Sequence, residues 1–318
     1  MSLEQQITGS ILMIRPIDFI YNEQTAVDNE FMNKNSEAET TEQIRQAAIS
    51  EFDNSVELLK KHGVNVIVFD KSRTNELDAN ITPDAVFPNN WISTEPNGKV
   101  ILYPMFAKNR DAEKNQFRFI IEQLLEQFQV NQVQNFQHNG QILEGTGSLI
   151  IDRVKRRAYC NISQRANPEI FQKWAQENGY EAIMFESRSS VSGKPFYHTN
   201  ILMSIAQKFA VVCKSCIVGE KAEEVVAKLS EDREVIIISE QQTEKSLCGN
   251  ILQVRNQTGD KTFTVMSETA FKGYTEEQLA IFRKYGEIIA LPIPTIERIG
   301  GGSARCMLAE INLPQKKN

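Results

Sequence analysis

The strongest constraint on the fold is a pattern that recurs along the chain: two short β-prone runs joined by a tight polar turn, then an amphipathic helix. "NWIST" and "KVILYP" flank "EPNG", "SLIID" and "RAYCNIS" flank "RVKR", "NILMSI" and "FAVVC" flank "AQK", and "NILQV" and "KTFTVM" flank "RNQTGD". Apolar runs of this length bounded by turn residues read as β-hairpins. The helical spacing predicts helices over 41–62, with Ile44, Ala48, Phe52, Val56 and Leu59 on one side, and over 112–128, with Phe117, Ile120, Ile121, Leu124, Leu125 and Phe128. Asn167 and Pro168 mark a third helix start, Ala222, Val225, Val226 and Leu229 outline a fourth, and Thr275 with Gln278 forms a capping box ahead of a fifth. Isolated runs, "VNVIVFD", "EAIMFE" and "EVIIIS", follow helices and precede hairpins. The chain therefore reads as a repeat of strand, hairpin and helix, an α/β architecture.

The repeat places one polar or reactive residue at each hairpin mouth: Asp84, Glu144, His198, Cys248 and Cys306, at intervals of 60, 54, 50 and 58 residues. "HTNILMS" from His198 and "CGNILQV" from Cys248 share Asn-Ile-Leu at one offset. Repeats of this length belong to solenoids, propellers or arrays. If the modules close around an axis, the mouths face one channel, and an acid, a histidine and a cysteine meet. A free thiol, with a pKa of about 8.5, is mostly protonated at neutral pH and needs activation. In such a set Cys306 would attack an sp2 carbon, His198 would shuttle protons and Glu144 would hold the imidazole tautomer. Taken singly, Cys306 fits a buried filler, His198 a backbone-bonded strand-end residue and Glu144 a turn carboxylate. Gly300, Gly301 and Gly302 read either as a plain loop or as backbone donors toward an oxyanion beside Cys306.

Composition narrows the function class. The 318 residues are 41% apolar with a net charge of −6, so no basic surface recommends a nucleic-acid partner. No window reaches the ~18 uninterrupted apolar residues of a membrane span, and Met1 to Gln6 lacks a basic leader. A cytoplasmic protein without membrane attachment is expected. Five cysteines, an odd number, argue against a disulfide framework. Cys213 and Cys216 form a CxxC without a partner motif or nearby histidine, which suits core packing, and three histidines with no paired spacing give no metal motif. No cofactor is expected.

Four segments together, "TPDAVFPNNW" (82–91), "LEGTGSLIIDR" (143–153), "YHTNILMSI" (197–205) and "GGGSARCMLAEI" (300–311), resemble the guanidino-group modifying, or amidinotransferase, superfamily. Within it they are most similar to arginine-deiminase-related, citrulline-utilisation hydrolases. The resemblance runs from "ILMIRP" to the last strand. It implies the pentein fold, an α/β propeller of about five pseudo-symmetric modules forming a single domain over 1–318. It also implies a nucleophilic Cys306, a general acid/base His198 and an orienting Glu144, acting through a covalent adduct on a small amino-acid substrate. Asp84 matches an acid that holds the amino-acid end of the substrate. Arg165, in "SQRAN", matches an arginine that binds the substrate carboxylate, and Arg110 matches a second.

One departure matters. Relatives acting on arginine or methylarginine set carboxylates around the guanidinium, where this sequence has Asn89, Asn90 and Asn200. Amides complement a neutral urea better than a cation, so the expected reaction is hydrolysis of citrulline to ornithine, ammonia and carbon dioxide. The alternatives are a deiminase-type hydrolase for arginine or dimethylarginine, an amidinotransferase, and a non-catalytic binding module on the same fold. The oligomeric state is not encoded in any of these features.

Overall fold

The computed structural model describes residues 6–33, 39–70 and 81–316. Of the stretch read above for a leader, all but Gln6 lies outside the described residues. No helix among those described is long and apolar enough to cross a membrane.

Among the described residues, five three-stranded sheets share one connectivity. In the first, β1 (Ser10–Ile14) runs parallel to β2 (Asn65–Phe69). The next four are β3 (Ile92–Thr94), β4 (Lys99–Leu102) and β5 (Gln132–Asn135); β6 (Leu149–Asp152), β7 (Arg157–Asn161) and β8 (Glu181–Phe185); β9 (Met203–Ile205), β10 (Phe209–Val212) and β11 (Glu234–Ile237); and β12 (Leu252–Arg255), β13 (Thr262–Ser267) and β14 (Glu287–Leu291). In each of these the first two strands form an antiparallel hairpin and the third lies parallel to the second. A parallel neighbour needs a crossover, and the helices supply it. The isolated strands therefore complete the sheet of the hairpin before them, so the module runs hairpin, helix, strand. The first sheet lacks its own leading strand, and β15 (Ala309–Glu310) fills that place against β1 from the other end of the chain.

The helix Thr41–Lys61 starts at Thr40, whose hydroxyl accepts from Gln43 while Gln43 reciprocates, and it buries Ile44, Ala48, Phe52, Val56 and Leu59. The box at Thr275 and Gln278 opens Glu276–Lys284 in the same way, and Lys221–Ser230 buries Ala222, Val225 and Leu229. Pro168 begins Pro168–Asn178 with Asn167 at the N-cap position, but the Asn167 side chain makes no capping bond: its Oδ1 accepts from the Ile142 amide at 2.7 Å. The helix expected over 112–128 is instead three pieces, Lys108–Asp111, Glu113–Gln116 and Phe119–Gln127, and Leu125 is exposed. The polar Arg110, Glu113, Lys114 and Gln116 are buried there. Turning these inward breaks the single apolar face on which that expectation rested. Cys213 and Cys216 lie in the largest apolar cluster, packed among Met203, Val212 and Ile217.

Short turns precede the leading strands: Pro88–Asn90 before β3, Gly145–Ser148 before β6, Thr199–Ile201 before β9 and Ala304–Met307 before β15. All are buried, and those beginning at Pro88, Gly145 and Thr199 pack in succession, with Ala304–Met307 also against Pro88–Asn90. Of the hairpin-mouth residues, Cys306 lies within its turn, and Glu144 and His198 stand immediately before theirs.

Candidate active site

Asp84, Asn90, Arg110, Arg165, His198 and Cys306 line one cavity, with Thr25, Asn29, Phe87, Tyr197, Gly300 and Gly302. His198 Nε2 lies 2.7 Å from Glu144 Oε2, and Glu144 Oε1 accepts from the Phe106 amide at 2.8 Å. Both side chains are buried. Burial pushes the Glu144 carboxyl up, but Arg165, the His198 hydrogen bond and Arg110 outweigh it and hold it at about 2. Burial also lowers the His198 imidazole below its ordinary value against the pull of Glu144. The carboxylate thus anchors the ring through Nε2, with Nδ1 on the opposite side of the imidazole.

The approach of these turns depends on Gly147. A Cβ there would stand 2.4 Å from Asn90 Nδ2 and 2.9 Å from His198 Nδ1, closer than atoms can pack. The glycines before Cys306 have a different use from the donor role considered above. Gly301, at φ +66, donates to the Glu297 carbonyl and ends the helix Pro294–Gly300. Side chains at Gly300 and Gly302 would collide with the Phe87 ring. The glycine run lets Phe87 and residues 29–32 pack over the turn carrying Cys306.

Cys306 is 6% exposed. Its Sγ accepts from Asn200 Nδ2 at 3.4 Å and from Asn250 Nδ2 at 3.3 Å. Asn250 belongs to no motif, but the repeat carries its signal: it holds in "CGNIL" the offset that Asn200 holds in "HTNIL". Cys248, at the matching hairpin mouth, turns away from the cavity, with its Sγ 3.7 Å from the Ala270 carbonyl, and burial raises its thiol to about 12.

The two arginines assigned above to the substrate carboxylate are engaged inside the protein. Arg110 is buried; it donates to Glu113 through Nε, to Asn90 Oδ1 through Nη1 at 2.6 Å, and to the Asp84 and Phe87 carbonyls through Nη2. That leaves little of its fork for a ligand. Burial pushes the partner Glu113 up to about 7 against the pull of Arg110. Arg165 grips Asp28 with Nε and Nη2, donates to the Thr25 carbonyl, lies 3.6 Å from Glu144 and covers the Tyr197 ring. Asp28, Asn22 and Thr25 belong to an irregular stretch without periodicity, so no sequence signal pointed to them. Asn22 and Thr25 donate to Asp84 Oδ2 at 2.7 and 2.9 Å.

Several polar atoms here have no hydrogen-bond partner among the described residues: Asp84 Oδ1, Asn90 Nδ2, Asn200 Oδ1 and both side-chain atoms of Asn89. Buried polar atoms are costly to leave unpaired, at about 1–3 kcal/mol each. Such a concentration around a thiol and an imidazole is what a polar ligand would satisfy. Neither Asn89 nor Asn200 lines the cavity itself: the Asn89 carbonyl accepts from the Thr146 hydroxyl, and Asn200 reaches the Cys306 sulfur.

The profile of the family described as "N,N dimethylarginine dimethylhydrolase, eukaryotic" matches residues 15–313. No curated protein sequence matches the chain. Among solved structures, the N-terminal domain of ArgZ, an arginine dihydrolase from the ornithine-ammonia cycle in cyanobacteria, superposes with a TM-score of 0.72 at 15% identity, covering 96% of this chain and 98% of that one. AgrE in complex with L-arginine gives 0.72 at 16% identity, with 98% of this chain matched to 41% of AgrE. The dimethylarginine hydrolase of Pseudomonas aeruginosa, complexed with citrulline, gives 0.63 at 14% identity, covering 95% and 98%. The chain belongs to the N,N-dimethylarginine dimethylhydrolase family, within the pentein superfamily of hydrolases that act on guanidino C–N bonds.

Proposed function

We propose that this hydrolase takes citrulline, with Cys306 as nucleophile, His198 as proton shuttle and Glu144 as its anchor, in a single domain whose five modules form a propeller. One observation carries the substrate choice: among the described residues, the side chains hydrogen-bonded to the Cys306 sulfur are amides, and no carboxylate is among them. A buried guanidinium without a counter-charge at the reacting carbon would cost several kcal/mol. A urea carries no charge and asks for one donor and one acceptor. Arg110 holds Asn90 by its Oδ1, which leaves the Nδ2 donor unpaired, while Asn200 offers an unpaired Oδ1. Asp84 is tied to Asn22 and Thr25 and keeps one unpaired oxygen for the α-ammonium group. Arg165 would take the α-carboxylate by exchanging Asp28 for it.

In the reaction, the thiol gives its proton to His198 and sulfur bonds to the ureido carbon. The tetrahedral oxyanion collapses, expelling ammonia with the proton from His198 and leaving a thiocarbamate. His198 then takes a proton from water, the hydroxide displaces the thiolate, and the proton returns to sulfur. The N-carboxy-ornithine released loses carbon dioxide, so one water and one citrulline give ornithine, ammonia and carbon dioxide. A panel of citrulline, arginine and dimethylarginine, assayed for ornithine, citrulline and ammonia, tests the choice. Ornithine from citrulline, unchanged by added glycine, is expected; conversion of arginine to citrulline with citrulline inert returns the chain to the deiminases. Asn90→Asp is expected to move preference toward the cation.

A further inference from the structure

We infer that Asn250 is a catalytic residue that, with Asn200, prepares the Cys306 thiolate by amide donation rather than leaving this to the imidazole alone. The inference rests on Cys306 being the nucleophile but not on which substrate it attacks. Asn250 is 1% exposed, and its side chain is held at three points. Its Oδ1 accepts from the Cys306 backbone amide at 3.4 Å, which turns its Nδ2 toward the Asn200 carbonyl at 3.2 Å and the Cys306 Sγ at 3.3 Å. The same side chain therefore fixes the backbone and the sulfur of one residue. Asn200 donates to that sulfur from the matching position of the preceding module. Two N–H donors aimed at one sulfur favour its anion, since hydrogen bonds to a charged acceptor are stronger than to a neutral one. His198, by contrast, is anchored to Glu144 through Nε2, and burial lowers its imidazole below the ordinary value, which disfavours a standing positive charge there.

The test uses iodoacetamide, which reports the thiolate without any substrate. Ionisation releases the sulfur proton to the medium; the thiolate then forms a carbon–sulfur bond as iodide leaves. Alkylation is followed against pH in the full chain, and the tryptic peptide beginning at Cys306 is quantified by mass spectrometry, so that the other buried cysteines do not contribute. In Asn250→Ala the midpoint of the alkylation profile is expected to rise by about one pH unit, which is ~10-fold slower labelling near neutrality. Asn250→Asp keeps the shape and puts a carboxylate against the sulfur, so its midpoint is expected to rise further. This variant decides the matter if the alanine variant does not fold. Unshifted midpoints in folded variants that have lost turnover would overturn the inference and leave the hydrolase reading intact. Shifted midpoints in an enzyme that hydrolyses none of the three amino acids would do the reverse.

Discussion

Cys306 and Cys248 are both buried cysteines at hairpin mouths of adjoining modules, yet their surroundings differ in kind. Cys306 faces a cavity with two amide donors on its sulfur and the His198–Glu144 pair across the space. Cys248 faces the Ala270 carbonyl, an acceptor that favours the protonated thiol, with Gly273 packed beside it. The repeat brings both to corresponding places, and under the proposed mechanism it is their neighbours that make one sulfur reactive and leave the other inert. Thiolate character, not burial, separates a nucleophile from filler.

The largest expected effect tests this contrast directly. Cys306→Ala is expected to abolish turnover with the thermal melt preserved, while Cys248→Ala keeps kcat within about two-fold, since a buried thiol replaced by a methyl loses packing rather than chemistry. An active Cys306→Ala with a dead Cys248→Ala would invert the comparison. Next come the groups that only Cys306 has. His198→Ala and Glu144→Gln are each expected to lower kcat by ~100-fold to ~10,000-fold with a smaller change in KM. A raised KM at normal kcat would place them in recognition instead.

A third pair sharpens the comparison through glycine. Gly147→Ala drives a Cβ against Asn90 and His198, and a displacement near 1 Å in a site of this type costs about 100-fold in rate. Gly273→Ala drives one against Ser246 and Cys248, at 2.5 Å from the serine hydroxyl and 3.1 Å from the sulfur. Its expected cost is melting temperature, with kcat per folded molecule nearly unchanged. Equal rate losses in both would deny the difference between the two regions.

The smallest effect concerns pH. Glu113 is pushed up to about 7 in the folded protein by burial, above the ordinary carboxyl value near 4.5. The fold thus binds a proton that the unfolded chain has released. The stability this group contributes is fully present below the ordinary value and is lost as pH rises through about 7. Glu113→Gln is expected to flatten that part of the profile, read as melting temperature between about pH 4.5 and about pH 8. A variant whose profile keeps the wild-type slope would show that Glu113 does not cause it.

Much of this was legible in the sequence because the repeat was. Hairpins announce themselves through alternating apolar runs and turn residues, and a spacing of 50 to 60 residues then brings Glu144, His198 and Cys306 to matching places in successive modules. The strand β5, "QVQN", was invisible, since three of its four residues are exposed and it is held by backbone pairing to β4. The broken helix after Lys108 was hidden because its cause is tertiary: Arg110 turns inward onto Asn90 and the carbonyls of Asp84 and Phe87. The same contacts show what a sequence leaves out about Arg110: Glu113 is visible three residues on, but Asn90 and the Asp84 and Phe87 carbonyls that also hold it are not. Asn250 lay between these cases, marked by an offset shared with Asn200 but not by any motif.

The most direct test of the central claim is the origin of the carbon that sulfur captures. The enzyme is mixed with citrulline labelled at the ureido carbon or with arginine labelled at the guanidino carbon, quenched in acid during turnover and digested. The account predicts label from citrulline on the peptide beginning at Cys306 and none in Cys306→Ser. Label from arginine alone, with citrulline leaving the peptide unmarked, would contradict it.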